Sequence, residues 1–217
     1  MIGVDNDCCP TLSPRGMQRE AAAALAASGV LQIGEKKARG GLNLPGVWLN
    51  LSLLPSDPHA FRVVLRMLDR LYVRHFYVGT THRDYTLACV MSGGAAFGVY
   101  LGERYGRPIG FAQKDGRVEL QDRVLVGQRV VPIEDVVTEG GSTARTVEAI
   151  RARGGVVTHA ITIVNYGLTR AEENFRSAGI GCYAVTTMAD VISAAHARGM
   201  LSDEQVLRVA RWIENPS

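Results

Sequence analysis

The chain has 217 residues and a mass of 23.4 kDa, which suits one domain, or one domain with a small appendage, and leaves room for an apolar core. Hydrophobic residues make up 47% and charged residues 21% of the sequence, and this balance excludes wholesale disorder. The net charge of +3 comes from dispersed basic residues, so we expect no nucleic-acid partner. No apolar run reaches the ~18 residues of a membrane helix, and the N-terminus shows no secretory pattern. We therefore expect a cytosolic (cytoplasmic) protein without a membrane partner.

Four cysteines are present, at Cys8, Cys9, Cys89 and Cys182. Neighbouring cysteines form no ordinary disulfide bond with each other, and the sequence contains no CxxC pair and no zinc-ligand spacing. We therefore expect free, reduced thiols and no metal site built from cysteine.

Three segments are predicted in the N-terminal third of the chain: a helix over 14–28, short strands within 34–52, and a helix over 57–72. Alanine, leucine and glutamate favour the first helix, which Ser13 would cap and Gly29 would end. Glycines and prolines exclude a helix over 34–52, so we interpret this segment as a flap. Asp57 and Pro58 begin the second helix, in which leucines at 65, 68 and 71 form an apolar face.

Farther along the chain, apolar strands alternate with amphipathic helices. Strands are predicted over 76–78, 87–91, 108–112, 124–126, 129–134, 156–164 and 183–186, and helices over 94–105, 142–153, 169–178, 188–198 and 203–213. Ser202 with Gln205 predicts a capping box for the last helix. The alternation is typical of an α/β fold with a doubly wound parallel sheet flanked by helices. Residues 1–55 would form an N-terminal helix and flap (hood), and 56–217 the α/β core with its C-terminal helices.

The loop after Asp135 carries the most specific pattern. Residues 130–143 read VVPIEDVVTEGGST, an apolar strand that delivers Glu134 and Asp135 and leads into a Gly/Ser-rich helix start. The backbone N–H groups and dipole of such a start favour a phosphate, and nearby carboxylates suit a sugar diol. No lysine follows the glycines, so this is not a Walker loop, and it is not a dinucleotide fingerprint. From the residues alone, an ordinary tight turn capped by Ser142 is the alternative.

This segment resembles the phosphoribosyl pyrophosphate (PRPP) signature of the type I phosphoribosyltransferases, in which two acidic residues, two apolar residues, Thr and a Gly/Ser-rich end follow a strand. Two residues depart from it. Pro132 removes a ladder hydrogen bond from the strand unless it faces an edge or bulge, and Glu139 places an acid in the phosphate loop. The resemblance implies PRPP contacts from Glu134, Asp135, Thr138, Glu139, Gly140, Gly141 and Ser142, with the acidic pair on the ribose hydroxyls.

The order of motifs over roughly residues 30 to 190 most resembles orotate phosphoribosyltransferase. Three segments carry this likeness: the flap, with Arg39 and Trp48-Leu49-Asn50; Met91-Ser92-Gly93-Gly94, like the pyrophosphate loop; and 114–122, like the mobile loop that covers a partner subunit's site. The resemblance implies pyrophosphate contacts from Arg39, Ser92, Gly93, Lys114 and Arg117, catalytic roles for Lys114, Arg117 and Asp135, and base contacts from Trp48, Leu49 and Tyr166. A solvated charged hairpin is the alternative for 114–122.

Several residues differ from that family. Gln113 stands where a basic residue is usual, and Glu119 stands where a histidine is expected. Asn165-Tyr166 replaces an Asp-Arg pair whose arginine helps to hold orotate. The loss of that arginine removes a charge-assisted contact worth ~1.5–3 kcal/mol, so PRPP use is better supported than orotate use.

The resemblance implies an enzyme that displaces pyrophosphate from PRPP with a ring nitrogen of a nucleobase and yields a nucleoside 5'-monophosphate. An orotate-type pyrimidine is the family default. It also implies Mg²⁺ carried by PRPP without a certain protein ligand, and a homodimer with shared active sites. Two alternatives stay open: a relative that acts on an uncharged base, and a non-catalytic PRPP-sensing regulatory protein.

Overall fold

The computed structural model describes residues 15–34, 43–77, 85–113, 115, 117–119 and 126–216. Within them the helices are α1 (Arg15–Ala27), α2 (Pro58–Tyr72), α3 (Ala95–Tyr105), α4 (Gly141–Ala152), α5 (Thr169–Ser177), α6 (Met188–Ala197) and α7 (Asp203–Glu214). The strands are β1 (Leu31–Ile33), β2 (Val47–Leu49), β3 (Tyr85–Val90), β4 (Ile109–Ala112), β5 (Val118–Glu119), β6 (Arg129–Val137), β7 (His159–Asn165) and β8 (Gly181–Thr187). None of these helices is long and apolar enough to cross a membrane.

The central sheet has the strand order β5-β4-β3-β6-β7-β8. Every neighbouring pair is parallel except β4 with β5, which is antiparallel. Because the parallel strands run the same way, their carboxyl ends meet at one edge of the sheet. The predicted α/β class is confirmed.

Helices cover both faces of this sheet, as a doubly wound fold requires. The larger apolar cluster joins the sheet to α1, α2, α3, α6 and α7. The smaller cluster joins the opposite face to α4 and α5 through residues such as Val147, Ile150 and Phe175. Strand β6, at the centre, is buried over most of its length, which accounts for its nearly continuous apolar sequence.

Pro132 is accommodated within this central strand. On the β3 side it lies opposite Ala88, whereas the register between β6 and β7 begins one residue later, at Ile133. Pro132 therefore stands just before the β6–β7 ladder, where a missing N–H donor disturbs the fewest hydrogen bonds.

Two predicted helix starts are confirmed by their caps. The Asp57 carboxylate accepts hydrogen bonds from the N–H groups of His59 and Ala60, both at 3.0 Å. Ser202 and Gln205 form the reciprocal capping box at the start of α7. The predicted cap Ser13 lies outside the described residues.

Two predicted strands are wrong where the structure describes them. Residues 73–77 form a π-helical turn that prolongs α2, because Phe76 buries its ring against Tyr72, at a centroid distance of 5.8 Å. A short apolar run satisfies a buried helical turn as well as a strand. Val126, predicted at the end of a strand, lies in a turn and is 77% exposed; residues 124 and 125 are not described.

The flap contains one of its expected strands, β2, which pairs antiparallel with β1 just before the predicted segment. A 3-10 turn over Leu51–Ser56 follows. By contrast, α1 packs with the main core, and the Thr186 hydroxyl on β8 donates to the Gln18 carbonyl at 3.0 Å. The division of the chain at residue 55 stays a prediction.

Candidate active site

A cleft of about 450 Å³ opens between the flap and the carboxyl edge of the sheet. Its walls come from the flap and from the loops after β3, β6 and β7, which are three of the places where the fold is expected to bind a ligand. The predicted residues that line it are Trp48, Leu49, Ser92, Gly93, Asp135, Thr138, Glu139, Gly140, Gly141, Ser142 and Tyr166. The structure thus brings together segments that lie more than 100 residues apart in the sequence.

The loop from Thr138 to Ser142, called the phosphate loop below, connects β6 to α4. Gly140 adopts a φ of +73°, a left-handed conformation that favours glycine, and the ring of Phe175 packs directly beneath it. Gly141 then begins α4. The loop and the first turn of this helix present N–H groups to the cleft, an arrangement that suits a phosphate.

The two acidic residues at the end of β6 have different environments. Asp135 is half-buried and lines the cleft. Glu134 is only 1% exposed, does not line the cleft, and accepts a hydrogen bond from the Ser142 hydroxyl at 3.0 Å. Successive side chains of a strand point to opposite faces, so Glu134 supports the phosphate loop from within while Asp135 faces a ligand.

The loop after β3 approaches Asp135 closely. A Cβ atom on Gly93 would lie 1.7 Å from Asp135 Oδ2, and one on Gly94 would lie 2.1 Å from the Ile133 carbonyl oxygen. Only glycine fits at these two positions. The preceding peptide bond, between Met91 and Ser92, is cis. This loop and β6 therefore form one continuous wall of the cleft.

Tyr166 lies where the flap meets the core. Its hydroxyl oxygen accepts a hydrogen bond from the Leu49 N–H at 3.2 Å, and its ring meets the edge of Trp212 at a centroid distance of 6.1 Å. Burial, with a smaller contribution from the Asp135 charge, raises the pKa of Tyr166 well above its usual value. The phenol is therefore neutral and tied to the flap backbone, while part of it still lines the cleft.

Of the three predicted basic residues, the structure describes only Arg117, which does not line the cleft. Arg39 and Lys114 lie outside the described residues. Arg117 is exposed and forms an ion pair with Asp115 at 2.9 Å, in a hairpin where the Gln113 N–H donates to the Arg117 carbonyl at 2.7 Å. The described residues of 114–122 belong to an exposed, charged hairpin.

The cleft residues that were not among the predicted site residues include Arg145, Arg170 and Asn174. Arg145 lies one helical turn after Ser142, so its place beside the phosphate loop follows from the helix period. Arg170 and Asn174 share one face of α5 by the same spacing. Their relation to the phosphate loop depends on the packing of α5, for which the sequence carries no signal.

The described cysteines take no part in the cleft. Cys89 and Cys182 are free and buried, and burial raises the pKa of each thiol to about 12. Thiols of this kind are poor nucleophiles at neutral pH. The prediction of free thiols is confirmed for these two residues, whereas Cys8 and Cys9 are not described.

Three features together define a phosphoribosyltransferase fold of type I. They are a mostly parallel sheet, an acidic strand end that leads into a Gly-rich helix start, and a flap across the same edge of the sheet.

Known structures have the same fold. UMP synthase of Leishmania donovani superposes with a TM-score of 0.76 at 19% identity, over 91% of this chain and 42% of that one. Orotate phosphoribosyltransferase from Aeropyrum pernix gives 0.67 at 23% identity, over 80% and 97%. The Mycobacterium tuberculosis enzyme in complex with PRPP gives 0.60 at 21%, over 81% and 98%.

Sequence relatives point the same way, although no family model matches the chain. Orotate phosphoribosyltransferase of Agrobacterium fabrum is 34% identical over 137 residues, which cover 59% of this chain and 59% of that protein. The chain thus spans less than two thirds of this relative's length. The orotate phosphoribosyltransferase of Cenarchaeum symbiosum is 29% identical over 191 residues, covering 85% and 92%. The chain therefore shares the fold of these phosphoribosyltransferases and is similar in sequence to proteins named orotate phosphoribosyltransferase.

Proposed function

We propose that the protein transfers the 5-phosphoribosyl group of PRPP to a ring nitrogen of a pyrimidine-type base, with orotate as the first candidate. The observation that carries this proposal is the single cleft shared by Asp135 and the phosphate loop. Its volume of about 450 Å³ lies within the range of small-molecule sites. The relatives named orotate phosphoribosyltransferase support the choice of base.

In the proposed reaction the bond between ribose C1 and the pyrophosphate oxygen breaks, and a bond between C1 and the base nitrogen forms, while the proton of that nitrogen leaves with pyrophosphate. The ribose becomes cationic as pyrophosphate leaves, so the negative field of Asp135 stabilises the transition state. Asp135 also accepts hydrogen bonds from the ribose hydroxyls. The phosphate loop holds the 5-phosphate, and Ser92 with Gly93 faces the pyrophosphate. The flap residues Trp48 and Leu49 cover the base and exclude water.

The donor set of the cleft suits Mg²⁺ that arrives with PRPP. Among the described residues no three His, Cys, Asp or Glu side chains form a metal site, and Mg²⁺ commonly binds through substrate phosphates and one or two carboxylates. Two of the described carboxylates line the cleft, Asp135 and Glu139, and Asp135 is the one that we propose would face such an ion. When bound, Mg²⁺ neutralises charge on the departing pyrophosphate.

We also propose that the pyrophosphate is contacted by Arg39, Lys114 and Arg117. Lys114 and Arg117 would reach the active site of the other subunit of a homodimer. The exposed position of Arg117, away from its own cleft, supports a role in a partner subunit's site. The homodimer and the cytosolic location both stay predictions.

The test is PRPP binding in the presence of Mg²⁺, measured by calorimetry with wild type, Asp135→Asn and the control Glu148→Gln. Glu148 lies exposed on α4 outside the cleft. We expect saturable binding by wild type and the control, and binding weakened by about tenfold or more for Asp135→Asn, because a charged hydrogen-bond acceptor is lost. Absence of binding by wild type at millimolar PRPP contradicts the proposal. Binding without pyrophosphate release for any base favours the regulatory alternative.

Tyr166 favours a second candidate, transfer to an uncharged base. A buried neutral phenol stands where the resemblance expects an arginine, so a carboxylated base loses a cationic partner while an uncharged base does not. In competition for the PRPP-loaded protein, the preference for orotate over uracil should therefore be smaller than in a site that carries an arginine at this position. A strong preference for orotate that survives Arg170→Ala contradicts this second candidate.

A further inference from the structure

Arg170 lies in the first turn of α5, on the wall of the cleft next to the phosphate loop. Two contacts fix this placement. The Asn174 side chain, one helical turn farther along the same face, donates to the Glu139 carbonyl at 2.7 Å. The Ala171 Cα lies 3.5 Å from the place that a Cβ of Gly140 would take. The start of α5 is therefore packed directly against the loop that would hold a phosphate.

The guanidinium of Arg170 is exposed and forms no ion pair with the residues that the structure describes. Other arginines are neutralised within the fold: Arg66 pairs with Glu20 and Arg104 pairs with Asp69. An arginine on a cleft wall without a carboxylate partner keeps its planar set of donors available for a ligand. That geometry matches phosphate, which accepts two parallel N–H donors.

We propose that Arg170 binds the 5-phosphate of the substrate from the α5 side, opposite the N–H groups of the phosphate loop. This inference rests on the proposed function and deepens it. Arg170 is then a substrate-binding residue that distinguishes phosphorylated from unphosphorylated sugars. The contribution of Arg170 to PRPP affinity does not depend on which base is transferred, because the proposed base position lies toward Trp48 and Tyr166, on the flap side of the cleft.

The experiment measures dissociation constants for three probes that share only a phosphate: PRPP with Mg²⁺, ribose 5-phosphate and inorganic phosphate. The variants are Arg170→Gln, Arg170→Lys, and two controls, Arg176→Gln on the outer part of α5 and Arg62→Gln on α2. Both control arginines are exposed and outside the cleft. A thermal melt of each variant checks the fold.

For Arg170→Gln we expect affinity for PRPP and for ribose 5-phosphate to fall by about tenfold, because one charge-assisted contact is lost at a partly solvated site. Arg170→Lys should fall between Gln and wild type, because it keeps the charge without the paired donors. The two controls should bind like wild type. Raising the salt concentration should weaken ribose 5-phosphate binding less steeply in Arg170→Gln than in wild type.

The base provides the decisive comparison. In pyrophosphate-release assays, Arg170→Gln should raise the KM for PRPP by a similar factor with orotate and with uracil. An effect confined to orotate would assign Arg170 to the carboxylate of the base and overturn the inference. Unchanged ribose 5-phosphate affinity in Arg170→Gln also overturns it, while PRPP binding by wild type leaves the proposed function intact. If wild type binds neither PRPP nor ribose 5-phosphate, both fail.

Discussion

Gly93 and Asp135 belong to different loops but occupy adjoining volumes. Because a Cβ on Gly93 would lie within 2.5 Å of three atoms of the Asp135 carboxyl group, Gly93→Ala must displace that carboxylate from the cleft. We expect PRPP affinity to fall by about tenfold or more, as for the loss of a charged hydrogen-bonding group. Calorimetry measures the affinity, and circular dichroism checks the fold.

Gly16→Ala is the matched control for this substitution. Gly16 lies in α1 with no atom within 4 Å of its added Cβ, and alanine favours a helix over glycine. It should bind PRPP like wild type and melt at the same or a higher temperature. Equal affinity in Gly93→Ala and Gly16→Ala would mean that Asp135 does not hold the ligand.

The Tyr166 hydroxyl links the flap to the core by a single hydrogen bond, and its removal tests the energy of that link. Tyr166→Phe leaves the buried Leu49 N–H without its acceptor, which costs about 1–3 kcal/mol. Urea unfolding should show a lower free energy of unfolding by an amount in this range. Tyr183→Phe is the control, since the Tyr183 hydroxyl forms no hydrogen bond with the described residues. Equal stability in the two variants would contradict this account.

At the scale of elements, the connection between the antiparallel strands β4 and β5 poses the clearest functional question. If Lys114 neutralises charge on the departing pyrophosphate, Lys114→Ala should lower kcat by ~10²–10³-fold and change the KM for PRPP much less. Steady-state kinetics with PRPP and the best base measures both constants, with the exposed Arg198→Ala as control. A near-normal kcat would leave Lys114 as part of a solvated hairpin.

The sequence predicts best those elements whose residue pattern is compatible with only one type of secondary structure. The alternation around β6 and α4 requires a buried parallel strand followed by a helix, and the structure has both. Asp57 and Ser202 mark helix starts because their side chains accept hydrogen bonds from first-turn N–H groups, which have no partner within the helix. Phe76 was misassigned because its three-residue apolar run has no period, and the prolonged end of α2 decides its conformation.

Of the residues that line the cleft, the sequence located best those that lie within one continuous motif. The residues from Asp135 to Ser142 are neighbours in sequence, so one pattern locates most of them. Strand alternation predicts that Glu134 and Asp135 face opposite ways, but which of the two faces the cleft depends on tertiary packing. Arg170 enters the cleft through the tertiary contact of α5 with Gly140, which leaves no trace in local spacing.

At the scale of the whole molecule, the two buried thiols make stability depend on pH in the alkaline range. Burial raises the pKa of both Cys89 and Cys182 from 9.0 to about 12. Below pH 9 both thiols are protonated in the folded and in the unfolded chain, and their contribution to stability is fully present. Between pH 9 and 12 the unfolded chain releases these protons while the folded chain retains them, so stability falls as pH rises.

We therefore expect the free energy of unfolding to decline between pH 8.5 and 10 with a slope that approaches ~1.4 kcal/mol per pH unit for each thiol ionised only in the unfolded chain. Burial also raises the pKa values of Tyr72, Tyr100, Tyr105 and Tyr166 above the ordinary value of 10.0, so the tyrosines add to the decline near pH 10 and the thiol contribution is the difference in slope between wild type and a variant without the thiols. Urea unfolding at several pH values measures the slope, and the double variant Cys89→Ala/Cys182→Ala should have a shallower one. The comparison uses slopes because loss of the Cys89 sulfur beside Gly98 lowers stability equally at every pH. Identical slopes in wild type and double variant would show that the two thiols ionise as readily in the fold as in the unfolded chain.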